Sequence, residues 1–341
     1  MFINKPDSRF CITSFLLLLL ISIAQSYSQD PAKIIFDTDM RGDCDDAGAL
    51  AVLHALADLG EAEILAVVTN LKESSNSTAG AADAINTWYG RPDIPIGTFK
   101  GEHFHYNVKP SPFSPVLKEN FPNDAELNDL MPDALEVYRM ILSGQPDTSV
   151  VICSVGALSN LCDLLDSGPG EYSDLDGVEL VSRKVKRLVI MGGEFPNSSR
   201  HEYNIRLDPP SAVTVALKWP GEIIWQGFEV GYAIYTGAEL QKASPDNPVR
   251  KAYELRPFRG RRAIDNGKPS HDQAAVLIAV RGIDPELWEL SPPGYVVVDS
   301  EGYTEWKYRA DGNHYFVSIK PHPAILENII GGLMSAPPKN Q

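Results

Sequence analysis

The chain has 341 residues, of which 43% are hydrophobic, so it can form one large domain or two smaller domains with a substantial core. Its formal net charge is -15, which excludes a general electrostatic attraction to nucleic acid or to an anionic membrane surface. We therefore predict a globular protein with no nucleic-acid partner, whose ligand is neutral, cationic or a metal ion.

The N-terminal segment has the layout of a cleavable secretory signal. Lys5 and Arg9 precede an apolar run over residues 15–24, and the small residues Ser26 and Ser28 follow it. An uncleaved membrane anchor is the competing interpretation, but the run has only about ten residues, against the roughly 20 that span a bilayer. We predict a signal peptide over residues 1–28, no membrane association after its cleavage, and a secreted or periplasmic protein.

Short apolar runs recur along the next part of the chain. They are "KIIFDTD", "EILAVVTN", "SVVICSVGAL", "VKRLVIMGGE" and "GEIIWQGFEV". Each run is followed by a polar or glycine-containing turn and then by a helix-like stretch. Apolar runs without polar alternation are typical of strands that are buried on both faces, and their alternation with helices predicts βαβ units and a parallel sheet.

Two later segments depart from this pattern. Residues 103–122 are rich in Pro, Phe and His without a clear period, which predicts a long loop that is either a lid over a site or an ordinary surface excursion. The stretch "GYVVVDSEGYTEWKYRADGNHYFVSIK" alternates and contains an Asp-Gly turn at Asp311 and Gly312. It predicts a small antiparallel addition, followed by the helix "PAILENIIGGLM". The sequence has no internal repeat, which favours one domain over residues 29–341.

The stretch "IIFDTDMRGDCDDAGAL" concentrates negative charge at one point of the chain. It contains five aspartates, namely Asp37, Asp39, Asp43, Asp45 and Asp46. An alanine- and leucine-rich stretch follows and ends at Gly60, which predicts a helix, so the cluster lies on a strand-to-helix turn. In an open parallel sheet, ligands bind at this edge. The helix dipole accounts for one or two of these carboxylates but hardly for all five.

The donor types in this cluster point to a hard cation. Four of the aspartates surround a turn made tight by Gly42, and they offer oxygen atoms only. Closely spaced oxygen ligands select a cation such as Ca²⁺, which takes about six to eight oxygens. No His or Cys pattern indicates zinc. Asp43 is either a solvated carboxylate or part of the site.

Two further segments carry candidate site residues. In "SHDQAAVLIAV", His271 and Asp272 open another apolar helix, where the pair could be only a helix cap and its neighbour. The segment "IMGGEFPNSSRHEYNIRLDPPSA" offers Asn197, Glu202 and Asn204 after a Gly-Gly strand end. Clustered amides and carboxylates suit the hydroxyls of a sugar, and they also suit an ordinary polar loop.

Together these segments resemble the inosine-uridine-preferring nucleoside hydrolase family. The family's motifs are similar to "DTDMRGDCDDAGAL", to "GALSN" at residues 156–160, to "EYN" at residues 202–204 and to the His271-Asp272 pair, in that order, over roughly residues 33–334. The resemblance implies an α/β fold with an open Rossmann-like, mostly parallel sheet flanked by helices. It also implies hydrolysis of the N-glycosidic bond of ribonucleosides to free base and ribose, with Ca²⁺ as cofactor.

The resemblance also implies roles for individual residues. The calcium ligands would be Asp39, Asp46, Asp272 and the backbone carbonyl of Ser159, and Asp39 would take the proton of a bound water. His271 would be the leaving-group acid, for which the ordinary histidine pKa of about 6.5 is suitable near neutral pH. The residues that contact the riboside would be Asp45, Asn70, Asn197, Glu202 and Asn204.

The sequence departs from the family pattern in a few places. Arg41 replaces the small residues that are usual in the first turn, a change that would either narrow the entrance or form a salt bridge. Asn197 matches a family asparagine only with a gap. A histidine-glycine element of the substrate loop has no clear equivalent, although His103 and His105 lie nearby. These departures leave the nucleobase specificity open and do not affect the metal ligands.

Two rival functions remain open at this point. A haloacid-dehalogenase-like phosphatase would use Asp37 as the nucleophile, Asp39 as the acid and Mg²⁺ as the ion, but that function leaves Asp45, Asp46 and the His-Asp pair unused. An exported riboside-binding protein without catalysis would use the calcium site only to capture ribose. Formation of a homo-oligomer is also left open.

Overall fold

A ten-stranded sheet, counted over the part of the chain that the structure describes, lies at the centre of the fold. The computed structural model describes residues 30–102 and 110–339. The predicted signal peptide, His103 and His105 therefore lie outside the described residues. The sheet contains β1 Ala32–Thr38, β2 Ala62–Thr69, β3 Ile96–Thr98, β4 Val150–Ser154, β5 Val185–Met191, β6 Ile223–Gln226, β11 Trp288–Leu290, β12 Gly294–Val298, β13 Thr304–Tyr308 and β14 His314–Ile319.

The strand order confirms a mostly parallel sheet. The order is β13-β12-β14-β6-β5-β4-β1-β2-β3, with β11 beside β14. The pairs from β3 through β1 to β6 and β14 are parallel, whereas β11, β12 and β13 pair antiparallel. The predicted antiparallel addition is therefore confirmed, and through β14 it extends the main sheet. Two small sheets pair β7 Tyr235–Thr236 with β10 Lys268–Pro269, and β8 Pro257–Phe258 with β9 Arg261–Arg262.

Helices connect the strands and cover both faces of the sheet. In chain order they are α1 Asp45–Asp58, α2 Thr78–Trp88, α3 Ser114–Asn120, α4 Ala134–Gly144, α5 Ser159–Asp166, α6 Gly177–Lys184, α7 Tyr203–Leu207, α8 Pro209–Lys218, α9 Phe228–Tyr232, α10 Pro248–Leu255, α11 Ala263–Asn266, α12 His271–Arg281 and α13 Pro323–Met334. Short 3₁₀ helices span Asn128–Leu130 and Ala238–Lys242. Among the described residues, every helix is too short or too polar to cross a bilayer.

The apolar runs become central strands because their side chains enter two hydrophobic clusters, one on each face. In β1, Ile34 and Phe36 are fully buried in one cluster and Ile35 is fully buried in the other. In β4, Cys153 is buried in the first cluster and Ile152 in the second. Burial of one such side chain contributes about 1.5–3 kcal/mol. Because both faces of the sheet are apolar, the polar side chains that could bind a ligand lie at the ends of the strands.

Close packing of two helices brings distant parts of the sequence to the same edge. Helix α1 packs against α12, and both helices carry an acidic residue of the same carboxylate group in their first turn. At Gly48 of α1 an added Cβ would lie 2.5 Å from Nε2 of Gln273 and 2.6 Å from the Tyr253 hydroxyl. This glycine therefore sets how closely α12 can approach. The approach places Asp272 near Asp46.

The prediction of a long loop over residues 103–122 is wrong for its second half, where α3 forms. The hydroxyl of Ser111 accepts hydrogen bonds from the backbone N–H groups of Phe113 and Ser114, at 3.3 and 3.0 Å, which starts the helix. Proline occupies the first turn, where its missing N–H does no harm. Phe113 and Leu117 are fully buried and fix the helix to the core. This short helix has too few residues to show a period in the sequence.

Candidate active site

A cavity of about 360 Å³ opens at the carboxyl edge of the sheet. Its wall is formed by the turn after β1, by the first residues of α1 and α12, and by the start of α7. The predicted site residues that line it are Asp39, Asp45, Asp46, Glu202, Asn204, His271 and Asp272. Val155, Met191, Arg41, Tyr203, Phe228 and Arg256 also line it. The cavity therefore joins an acidic floor to a partly aromatic wall.

The turn after β1 is held by backbone and hydroxyl donors. Gly42 has a φ of +62° and Met40 a φ of +44°, so the chain reverses tightly before α1. The Met40 N–H donates to Oδ1 of Asp46 at 3.0 Å, and the Thr38 hydroxyl donates to the same oxygen. The Ser114 hydroxyl donates to the Met40 carbonyl at 2.5 Å. These contacts fix Asp46 from below.

Three buried carboxylates come together at the centre of the cavity floor. Asp45, Asp46 and Asp272 each offer one oxygen, and these atoms lie within 4.8 Å of one another. Burial and the neighbouring carboxylates raise the pKa of Asp46 and of Asp272 well above the ordinary value. Burial raises the pKa of Asp45 to about 6. A divalent cation would remove this penalty, and oxygen-only donors suit a hard ion, so the residues fit a metal site.

This group shares Asp46 and Asp272 with the predicted ligand set and contains Asp45 in place of Asp39. Asp45, which we predicted to contact ribose, belongs to the three-carboxylate group. Asp39 lines the same cavity and forms a hydrogen bond with the Asp46 carboxyl, and burial raises its pKa to about 7. Ser159 is fully buried at the start of α5, where its hydroxyl donates to Asp208 at 2.7 Å. The predicted ligand role of its carbonyl stays a prediction.

Asp37 lies behind the cavity floor and supports it. It is fully buried and accepts hydrogen bonds from the Asn70 amide and the Tyr138 hydroxyl, both at 2.6 Å, and from Asn160 at 3.3 Å. Burial raises its pKa to about 7. Asn70 thus contacts Asp37, and neither residue lines the cavity. A nucleophile must reach its substrate, so this burial argues against the phosphatase in which Asp37 is the nucleophile.

His271 has a different environment from the expected one. Its ring stacks on Phe228 with the centroids 4.9 Å apart. Burial, together with Lys268 and Arg200, lowers the pKa of His271 to about 3, so the expectation of an ordinary pKa is wrong. Its Nδ1 atom has no hydrogen-bond partner among the described residues. The imidazole is therefore neutral at physiological pH and has a free nitrogen for a ligand.

The opposite wall carries the residues predicted to bind the sugar. Glu202 caps α7 by accepting from the Asn204 N–H at 3.0 Å and from the Gly193 N–H at 3.2 Å. The Asn204 side-chain amide donates to the carbonyls of Val155 and Met191, at 3.2 and 3.1 Å. These bonds fix both side chains at the cavity. Asn197 is exposed, pairs with Glu305 and is not part of the lining.

Arg41, the departure from the family pattern in the first turn, links the two sides of the cavity. Its Nη1 donates to the Tyr203 hydroxyl at 2.9 Å, and its backbone N–H donates to Oδ1 of Asp39 at 3.1 Å. The side chain is only 5% exposed. Arg41 therefore narrows the cavity and places a positive charge beside Asp39.

Sequence reasoning missed one charged residue of the site. Lys268 is buried under the aspartate turn and forms ion pairs with Asp43 at 3.0 Å and with Asp45 at 3.2 Å. Burial by itself would lower the pKa of Lys268. These carboxylates outweigh it and raise the pKa above the ordinary value, so the side chain is an ammonium. The sequence signal was weak: a lysine lies three residues before His271 in "GKPSHD", but the segment does not indicate its partners.

Comparisons with known proteins agree with this fold. The chain matches the family model of the inosine-uridine preferring nucleoside hydrolases over residues 34–319. A search of curated protein sequences found no significant match. An inosine-uridine preferring nucleoside hydrolase from Bacillus anthracis has a similar structure, with a TM-score of 0.63 and 17% identity over 89% of this chain and 99% of that one.

Two further solved structures are similar. For an inosine-guanosine nucleoside hydrolase the TM-score is 0.62, with 19% identity over 89% of this chain and 98% of that one. The type III effector XopQ, solved with adenosine diphosphate ribose, has a TM-score of 0.68, with 15% identity over 94% of this chain and 98% of that one. At such identities the similarity concerns the fold.

The family match covers most of the chain, and the acidic cavity lies where the fold predicts a ligand site. The chain belongs to the inosine-uridine preferring nucleoside hydrolase family. It is accordingly a hydrolase of N-glycosidic bonds, with a candidate acidic metal site in a metal-dependent family.

Proposed function

We propose that the protein is an exported, calcium-dependent hydrolase that cleaves the N-glycosidic bond of ribonucleosides to free base and ribose. The observation that carries this proposal is the group formed by Asp45, Asp46 and Asp272, whose oxygens lie within 4.8 Å of one another in the same cavity as Glu202 and Asn204. Buried carboxylates at this density need a cation, and the surrounding amide and carboxylate groups suit sugar hydroxyls.

Calcium fits the donor set better than softer ions, because the three side chains offer only oxygen. Asp45, Asp46 and Asp272 would hold it, with Asp39 and the Ser159 carbonyl as the further ligands that the family resemblance implies. When bound, such an ion lowers the pKa of a coordinated water and offsets the charge of the cluster.

Asp39 is the proposed proton acceptor. It lines the cavity and forms a hydrogen bond with the Asp46 carboxyl, so it lies beside the proposed ion and within reach of a water held there. As the bond to the base breaks, the sugar gains oxocarbenium character, and the carboxylates around it stabilise that positive charge. Asp39 would then remove the proton of the water that attacks the anomeric carbon.

His271 would contact the leaving base as a neutral imidazole. Its free Nδ1 and its stacking on Phe228 support a role in holding the base by a hydrogen bond beside an aromatic ring. Glu202, Asn204 and Asp45 would bind the ribose hydroxyls. The riboside contacts of Asn70 and Asn197 stay predictions, because in the structure Asn70 contacts Asp37 and Asn197 pairs with Glu305.

The proposal of export depends on the sequence layout of residues 1–28 and on a mature chain over residues 29–341. N-terminal sequencing of the protein recovered from the medium or periplasm of an expressing cell tests it. A mature N-terminus near residue 29 is the expected result, and retention of the intact N-terminus inside the cell would contradict it.

A panel assay tests the catalytic proposal. Purified mature protein is incubated with purine and pyrimidine ribonucleosides and with ADP-ribose, and reducing sugar and free base are measured with Ca²⁺ or with chelator. We expect release from at least one nucleoside, loss of release with chelator, and loss in Asp39→Asn. The exposed Asp246→Asn is the matched control. Tight riboside binding without release would instead favour the non-catalytic binding protein, and release of inorganic phosphate from a nucleoside monophosphate, without free base, would favour the phosphatase.

A further inference from the structure

The buried Lys268 has no part in the reaction described so far. It belongs to β10, and only 1% of its side chain is exposed. Its Nζ atom lies 3.0 Å from Oδ1 of Asp43 and 3.2 Å from Oδ2 of Asp45, and it donates to the Pro269 carbonyl at 2.6 Å. An ammonium has three N–H donors, so these three acceptors satisfy it and hold it in one position.

The partners of Lys268 are themselves fixed and belong to the cavity. Oδ1 of Asp43 accepts the Cys44 N–H at 2.8 Å and lies 3.5 Å from Nε of Arg256. Asp45 is the first residue of α1 and one of the three clustered carboxylates. Asp43, Asp45 and Arg256 all line the cavity. The ion-pair network therefore runs from the buried side of the aspartate turn to the cavity wall.

Stability alone does not account for this lysine. Removing an ammonium from water is costly, and a buried ion pair gains little on average over well-packed apolar residues of the same size. A buried charge at such a place therefore calls for another function. The segment that carries it is also anchored: the Ser270 N–H donates to the Ile234 carbonyl at 2.9 Å, and the hydroxyls of Ser270 and Thr236 lie 2.7 Å apart.

The charges around the cavity indicate that function. The aspartates that line it are Asp39, Asp43, Asp45, Asp46 and Asp272. Lys268, Arg41 and Arg256 supply positive charges beside them. These three cations and a single divalent ion together balance the five aspartates when all are ionised, and Glu202 in the same lining adds one further carboxylate. Without Lys268 the group would keep an uncompensated negative charge.

We propose that Lys268 is a positioning residue that serves as a fixed internal cation of the metal site. It holds the Asp45 carboxylate in the orientation that the ribose needs, and it limits the affinity of the aspartate group for the divalent ion. The first part of this inference rests on the proposed riboside hydrolysis, whereas the second part does not.

The two parts predict opposite effects of one substitution. Lys268→Met removes a positive charge near Asp45, so Ca²⁺ should bind the metal-free protein about five-fold more tightly, or more. The same substitution lets the Asp45 carboxylate turn from Lys268 toward the ion and away from the ribose, and misplacement of a substrate-binding group by about 1 Å can reduce turnover about 100-fold. A lysine with a purely structural role would weaken calcium binding and turnover together. The exposed Lys242→Met is the matched control and should change neither quantity.

The double variant Lys268→Met/Asp43→Asn separates charge from position. It restores the net charge of the site, so calcium affinity should return to within about two-fold of wild type. Turnover should stay low, because Asp45 still lacks its partner. Lys268→Arg keeps the charge and replaces Lys268→Met in the experiment if circular dichroism shows that Lys268→Met does not fold. Lys268→Arg should keep the calcium affinity within about two-fold of wild type and should lose turnover.

The experiment is a calorimetric titration of each metal-free variant with CaCl₂, followed by nucleoside hydrolysis at saturating Ca²⁺. Tighter calcium binding with reduced hydrolysis in Lys268→Met supports the proposal. Unchanged or weaker calcium binding, or wild-type hydrolysis, in that variant overturns it, and so does recovery of hydrolysis in the double variant. If wild type hydrolyses no nucleoside, the proposed function fails, and the calcium titration alone decides whether Lys268 is the internal cation.

Discussion

Asp46 and Asp272 come from opposite ends of the sequence, yet each offers a carboxylate oxygen to one group of three whose atoms lie within 4.8 Å of one another. Each residue lies in the first turn of its helix, and those helices pack side by side. Helix packing thus brings the candidate metal ligands together. The fold places acids where the helix N-termini favour them and where a strand edge opens to a ligand.

Neutralising either of these two acids should abolish cation binding. Asp46→Asn and Asp272→Asn remove one of three clustered oxygen charges, so we expect calcium to raise the melting temperature of wild type and not that of either variant. A ligand at about 100 times its dissociation constant adds about 2.7 kcal/mol of stability. Thermal melts with and without CaCl₂ measure this, with Asp246→Asn as the control. An undiminished calcium shift in both variants would place the ion elsewhere.

Gly48 should control the approach of α12 to α1. In Gly48→Ala the new methyl group would meet side-chain atoms of Gln273, Tyr253 and Met334 at 2.5 to 2.8 Å, so these side chains must shift, and Gln273 belongs to α12. We expect a loss of about 1–3 kcal/mol of stability, from overpacking, together with weaker calcium binding. The control is Gly332→Ala in α13, where no atom lies within 4 Å and where alanine should be neutral or stabilising. Urea denaturation compares the two, and equal stabilities would refute this explanation.

Phe228 should contribute to binding of the base through its contact with His271. Phe228→Leu keeps an apolar side chain but removes the aromatic ring that stacks at 4.9 Å. Aromatic pairs contribute about 0.5–1.5 kcal/mol beyond their buried area, so KM should rise about two- to ten-fold. Steady-state kinetics on the best substrate of the panel tests this, and Phe258→Leu is the control away from the cavity lining. A change in kcat without any change in KM would argue against a role in binding.

His54 should make the fold acid-sensitive, apart from any effect at the cavity. It is fully buried, its Nε2 lies 2.9 Å from Oδ1 of Asn86, and burial lowers its pKa to about 3. Because the folded pKa lies below the unfolded one, the unfolded chain binds the extra proton first. The contribution of neutral His54 to the free energy of unfolding is therefore complete above pH 6.5, and it is lost as the pH falls toward 3.

For one proton this loss amounts to about 1.4 kcal/mol per pH unit within that window. His54→Gln removes the titrating group and keeps a side chain that can bond to Asn86. We expect its unfolding free energy to fall less steeply than that of wild type between pH 6.5 and pH 5. Urea denaturation at several pH values tests the difference in slope. Parallel curves for the two proteins would show that His54 does not control the acid response.

The parts of the fold that were predictable are those in which local sequence and burial agree. The runs that became β1, β2, β4, β5 and β6 are apolar without alternation because they are buried on both faces, and the helix after Asp46 is apolar because it is buried too. The prediction that His271 and Asp272 open a helix was correct for the same reason. Helix α3 was missed because its anchors, Phe113 and Leu117, are too few to give a period.

The site was less predictable than the fold, since its details depend on contacts between distant residues. Nothing near Lys268 in the sequence indicates that its ammonium reaches back to Asp43 and Asp45. The lowered pKa of His271 follows from its burial, which depends on packing around α12. The presence of Asp45 in the carboxylate group depends on how the first turn of α1 faces Asp272.

The central claim is that one calcium ion at the aspartate group enables N-glycosidic hydrolysis. The most direct measurement titrates the metal-free protein with CaCl₂ and follows calcium binding by calorimetry and release of free base from the best nucleoside, in the same buffer. We predict one calcium ion per chain, and a half-maximal rate at the calcium concentration that half-fills the site. Hydrolysis at full rate without any divalent cation, or calcium binding that leaves the rate at zero, would contradict the claim.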